Sequence, residues 1–88
     1  MEDEQTFFEF PTSFPLKAIG TGVDDFEALM VEIVRRHVTP FDESAISSRL
    51  SAGGKYLAVT ITFIAESKAQ LDALYMELSA HERVVMLL

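Results

Sequence analysis

The 88-residue chain has no cysteine and no tryptophan, only seven lysines and arginines against fourteen acids, and no long unbroken apolar run. Each shortage removes a class of function. Without thiols there is no disulfide, thiolate zinc site, iron–sulfur cluster or cysteine nucleophile, and nothing ties the chain to an oxidising compartment. With no apolar run near the length of about 18 residues that a membrane helix needs, no span is expected. The start Met1-Glu2-Asp3-Glu4-Gln5 is acidic where a secretory signal would be basic, so the expected location is the cytoplasm. A formal charge of −7 repels phosphate backbones and anionic lipid, and the few cations are scattered. Neither nucleic acid nor a membrane is therefore an expected partner. The two histidines, His37 and His81, fall in no triad or metal spacing. No catalytic residue, metal or cofactor is expected.

What the chain does have is hydrophobic residues, 49% of the total, enough for one packed domain over residues 1–88. The clearest pattern is at Gly53 to Ala65. From Tyr56, Leu57, Val59, Ile61 and Phe63 share one face, while Tyr56, Ala58, Thr60, Thr62 and Ile64 share the other. This predicts a central strand with a core face and a milder outer face.

Taken in order, residues 1–13 read as a partly flexible lead-in, and Phe7, Phe8, Phe10 and Phe14 with Pro11 and Pro15 make an aromatic, kinked approach to the fold. A hydrophobic flap over the core is the simpler expectation, a protein-docking segment the sharper one. Leu16 to Gly20 reads as a first strand, with Leu16 and Ala18 inward and Lys17 and Ile19 outward. Gly20-Thr21-Gly22 turns into a helix over Val23 to Val38, whose stripe of Phe26, Leu29, Met30, Ile33, Val34 and His37 repeats at helical spacing. Asp24 and Asp25 fall in its first turn and Arg35, Arg36 and His37 in its last, as the helix dipole favours; Pro40 stops it.

Ser44 to Ala52 reads as a serine-rich edge strand. Gly53-Gly54 suits a two-residue turn with positive φ at both positions, which would set Leu50 opposite Leu57 and Ile46 opposite Ile61. Ser67 and Gln70 form a capping box for a second helix that buries Leu71, Leu74, Tyr75 and Leu78 and ends near His81, where Glu77 and His81 are expected to pair. Arg83 to Leu88 closes the chain as a strand with Val84, Met86 and Leu88 on one side and Arg83, Val85 and Leu87 on the other.

The order strand, helix, hairpin, helix, strand, with right-handed crossovers, predicts an α+β, ferredoxin-like βαββαβ sandwich: a four-stranded antiparallel sheet in order 4-1-3-2 with both helices on one face. The fourth strand is a greasy edge. It, or the outer face carrying Ile19, Ile64, Val85 and Leu87, is expected to be covered by a second copy in a homodimer.

Several activities known on this architecture fail on the residues. RNA-recognition modules stack bases on central-strand aromatics, but here only Tyr56 is aromatic on the outer face and Ala58 holds the place of a second ring. Copper carriers need a cysteine pair in the first loop, and phosphatase chemistry needs an arginine cradle there, whereas the loop Gly20-Thr21-Gly22-Val23 holds no cation. Its glycines before a helix start could accept an anion through backbone N–H groups, although Asp24 and Asp25 would oppose it. Gly20, Thr21, Gly22, Asp24 and Asp25 are thus the candidate ligand site. Phe7, Phe8, Phe10, Tyr56, Thr60, Thr62, Val85 and Leu87 are the candidate interaction surface.

The run Phe10-Pro11-Thr12-Ser13-Phe14 with Lys17 and Gly20, then Arg36-His37, then Val84-Val85-Met86-Leu87-Leu88, resembles the YbeD-like family of small bacterial proteins of unknown function. The resemblance spans nearly the whole chain. It implies the same βαββαβ sandwich, likened to ACT-type regulatory domains that bind small effectors such as amino acids at dimer interfaces, and a regulatory tie to lipoate metabolism. The acidic start and the Gly-Thr-Gly loop depart from typical members. Two expectations follow: a non-catalytic regulatory or protein-interaction module, or an ACT-type sensor binding an amino acid or lipoate-related effector at Gly20 to Asp25 near a dimer interface.

Overall fold

In the computed structural model, which describes residues 9–41 and 45–88, the chain runs β1 (Thr12–Gly20), α1 (Phe26–His37), β2 (Ile46–Leu50), β3 (Leu57–Ala65), α2 (Lys68–Ser79) and β4 (Val84–Leu87). The strands form one antiparallel sheet in the order β2-β3-β1-β4, the ferredoxin-like order expected from the sequence. Leu16 and Ala18 of β1 and Val59, Ile61, Phe63 and Ala65 of β3 are buried against Phe26, Met30, Ile33 and Val34 of α1 and Leu71, Leu74 and Leu78 of α2. One sheet face is therefore core and the other is open.

The hairpin register is the one the alternation predicts: Leu50 pairs with Leu57, Ser48 with Val59 and Ile46 with Ile61. Its tip differs. The strands end at Leu50 and Leu57, Ser51 N–H bonds Tyr56 O at 2.9 Å, and Gly54 N–H bonds Ser51 O at 2.9 Å. This is a wider loop built on a four-residue turn, and only Gly54 has positive φ, at 75°. Gly53 needs no glycine conformation.

β1 begins four residues earlier than Leu16. Pro15 lies within it, opposite Thr62, although proline is excluded from central strands for want of an N–H donor. β4 is short and meets β1 only at Ala18 to Gly20, with one further bond from Leu88 N–H to Lys17 O at 2.9 Å. At Pro15 the strand has a neighbour on one side only, and the missing donor is not needed.

The parity expected of the last strand is overturned. Gly20 pairs with Val84 but Ile19 pairs with Met86, so Val85 is an extra residue, a β-bulge that turns the rest of β4 over. Val84 and Leu87 consequently both pack against the core, while Val85 and Met86 are exposed. Leu87, expected on the outer face, faces the helices, and Met86 takes its place beside Ile19.

α1 also starts later than Val23. Residues Val23 to Asp25 form a turn, and Asp25 stands at the N-cap position without a side-chain capping bond. The capping of α2 follows the sequence more closely. Ser67 Oγ accepts from Gln70 N–H at 3.1 Å, but the Gln70 side chain reaches the N–H of Glu66 rather than that of Ser67, at 2.7 Å.

Candidate functional site

The loop between β1 and α1 is closed from an unexpected direction. Arg83, just ahead of β4, lays its guanidinium over Gly22: Nη2 donates to Gly22 O at 2.9 Å, to Thr21 O at 3.2 Å and to Asp25 Oδ1 at 2.5 Å, and Nε donates to Thr21 O at 3.3 Å. Thr21 N–H in turn bonds Arg83 O at 3.1 Å. The loop that holds no cation of its own is thus supplied with one by the connection between α2 and β4. Hydrogen bonding to Arg83 holds the Asp25 carboxyl below the ordinary carboxylate range. Gly22, with φ of 73°, lies so close to Arg83 that a Cβ there would stand 2.3 Å from Nη2. Gly20, Thr21, Gly22 and Asp25 are brought together, but around an arginine side chain; Asp24 points away into solvent.

The histidines have structural employment. His37 Nε2 lies 2.7 Å from Glu77 Oε1, and Arg36 donates to the other oxygen of the same carboxylate, so Glu77 ties the end of α1 to α2. These bonds, Arg36 first and His37 second, lower the Glu77 pKa. The expected pair of Glu77 with His81 does not form, because Glu77 faces α1 across the helix pair; His81 Nδ1 instead accepts from Arg83 N–H at 3.2 Å. Among the described residues, no three acids or histidines converge where a metal ion could sit.

Of the expected interaction surface, Phe7 and Phe8 lie outside the described residues. Phe10 packs against the core, as does Phe14, whose ring meets those of Phe63 and Tyr75 at centroid distances of 5.9 and 6.3 Å. Phe10 therefore covers the core from ahead of the sheet, and Phe14 does so from within β1. Tyr56 sits at the hairpin base with Lys55 Nζ 5.6 Å from its ring centre. Thr60 and Thr62 lie on the open face, opposite Lys17 and Pro15. A shallow hollow of about 340 Å³ opens there, lined by Lys17, Ser47, Ser48, Arg49, Ala58 and Thr60. Its floor is Ala58, whose single methyl leaves space between longer neighbours. Lys17 and Arg49 are not among the expected site residues; the β1–β3 register, which sets Lys17 opposite Thr60, makes them neighbours.

Residues 5–88 match the family described as "Protein of unknown function (DUF493)". The chain belongs to the DUF493 family. Among its DUF493 relatives, a UPF0250 protein of Chromobacterium violaceum is 40% identical over 87 residues, covering 99% of this chain and 98% of the relative. One from Leptothrix cholodnii is 44% identical over 85 residues, covering 97% and 93%. These are the small bacterial proteins of unknown function that the N-terminal and C-terminal runs resemble. The solution structure of protein HP0495 from H. pylori superposes with a TM-score of 0.75 at 15% identity, over 99% of this chain and 91% of that one. The fold of this DUF493 chain is shared with that protein.

Proposed function

We propose that this DUF493 chain is a non-catalytic protein-interaction module that works through the open face of its sheet. The observation that carries this reading is that no described residue covers the face opposite the helices, which is bordered by apolar side chains: Ile64 is 52% exposed, Met86 50% and Leu88 59%. Exposed apolar side chains bordering a polar face are what a protein contact uses. His37 is held in a bond that joins α1 to α2 and His81 in one that braces the turn before β4, which supports a module without turnover. The sensor reading at Gly20 to Asp25 finds less support, because the Arg83 side chain fills the loop and its charge is met by Asp25.

A photo-cross-linking residue placed at Thr62, on the open face, is expected to give discrete protein adducts in the native cell. The same residue at Met76, exposed on α2 away from that face, is expected to give none. Equal labelling from both sites, or none from Thr62, overturns the reading. The free edge of β4 is the place for a second copy, since Val85 and Met86 are both exposed beside unpaired backbone. Light scattering at micromolar concentration should give twice the monomer mass, and Met86→Glu should halve it.

A further inference from the structure

The four strands contain no acid at all; their only charged residues are Lys17 and Arg49. Both are on the open face. Lys17 lies between the buried Leu16 and Ala18 and opposite Thr60, and Arg49 lies opposite Ala58. In a chain with twice as many acids as cations, one surface is thus purely cationic while the described acids are confined to helices and loops. The other cations are engaged: Arg36 with Glu32 and Glu77, Lys68 with Asp72, Arg83 with Asp25, Lys55 over Tyr56, and Arg35 in contacts of its own. Among the described residues Lys17 and Arg49 have no acid partner, yet they line one hollow.

Building on the interaction reading above, we propose that the hollow over Ala58 is the docking site for an extended acidic segment of a partner protein, its carboxylates taken by Lys17 and Arg49. The two cations stand on strands either side of β3, two strand spacings or about 10 Å apart, and one same-face step along the sheet. Acids four residues apart in an extended chain lie about 13 Å apart on one face and match that diagonal, with the side chain between them set over β3 between Ala58 and Thr60. Arg49 offers a planar fork suited to a carboxylate, Lys17 a point charge, and the hydroxyls of Ser47 and Thr60 complete a polar floor. The apolar rim at Ile64, Met86 and Leu88 extends beyond a free small anion and favours a protein. The net charge of −7 and the lack of stacking rings over Ala58 and Thr60 argue against nucleic acid.

The probe is a synthetic peptide with the core Glu-Ser-Val-Ser-Glu, titrated into the isotope-labelled full chain and followed by amide NMR. Saturable shifts at Lys17, Ser47, Arg49, Ala58 and Thr60 are expected, with at least a tenfold loss of affinity in the Lys17→Glu/Arg49→Glu pair and less than a twofold change in Lys68→Glu. No saturable shift, shifts on the helices instead, or an equal loss in Lys68→Glu overturns the proposal. So does tighter binding of an oligouridine, or binding of inorganic phosphate or succinate as tight as that of the peptide. The cross-linking at Thr62 separates the two levels. Adducts that persist in the Lys17→Glu/Arg49→Glu protein remove the acidic partner and leave the interaction module; absence of adducts in the unaltered protein removes the module.

Discussion

The Phe26 ring lies so close over Gly20 that a Cβ on the glycine would stand 2.1 Å from Cε1 of the ring and 2.6 Å from the backbone oxygen of Arg83. Gly20 ends β1 where α1 and the start of β4 converge on it, and only a residue without a side chain lets all three meet. Gly20→Ala should destabilise the fold by the upper end of the ~1–3 kcal/mol that overpacking costs, or more, because one obstacle is backbone. Trimming the ring with Phe26→Leu in the same protein should recover only part of this, since the Arg83 carbonyl stays. Thermal melting of the single and double variants checks both statements.

Arg83 should act as the clasp of the β1–α1 loop. Arg83→Met leaves the carbonyls of Thr21 and Gly22 and the Asp25 carboxylate without their shared donor. Arg83→Lys keeps the charge but not the fork that reaches all three together. Exchange of the Asp25 and Phe26 amides, both bonded to Gly22 O, should become roughly tenfold faster in either variant if the loop opens locally. Protection in the lysine variant equal to that of the parent would show that charge alone suffices.

Glu77 sets a pH dependence with a definite sign. Its pKa in the fold lies below the ordinary value of 4.5, so its bonds to Arg36 and then His37 contribute stability above pH 4.5 that is lost as pH falls through the lowered value. Asp25 contributes in the same direction. Urea midpoints measured from neutral to acid pH should show Glu77→Gln below the parent by a steady margin at neutral pH, and the margin should shrink below pH 4.5. A margin that grows on acidification would contradict the assignment.

The two hairpin glycines should behave oppositely to the symmetry of their sequence. Both have open space where a Cβ would go, so only backbone conformation distinguishes them. Gly54→Ala places a side chain in the left-handed region and should cost about 1 kcal/mol. Gly53→Ala should be neutral or stabilise by up to about 1 kcal/mol through the unfolded chain. Chemical denaturation of the two variants provides the comparison.

Much of the architecture was legible from local pattern. The period of two from Leu57 to Phe63 fixes which side of β3 is buried, the 3.6-residue stripes of Phe26 to Val34 and Leu71 to Leu78 fix the buried faces of the helices, and matching Leu50 with Leu57 fixes the hairpin register. Ser67 marks the start of α2. All of these are relations between residues near in sequence, and they hold whatever the remaining chain does. The absence of cysteine likewise bounds the chemistry without reference to shape.

What only the tertiary structure decided depends on which distant segments become neighbours. Pro15 is admissible inside β1 because β4 is too short to reach it. Val85 bulges where β4 meets Gly20, which turns Leu87 inward and Met86 outward. Glu77 finds Arg36 and His37 rather than His81, and Arg83 fills a loop whose Gly22 is 61 residues away. Lys17 and Arg49 come to share a hollow because the β1–β3 register sets Lys17 opposite Thr60, one same-face step from the Ala58 that Arg49 adjoins. Side-chain periodicity records which face a residue takes, but long-range strand pairing and loop closure choose its partner, and the candidate site is made of partners.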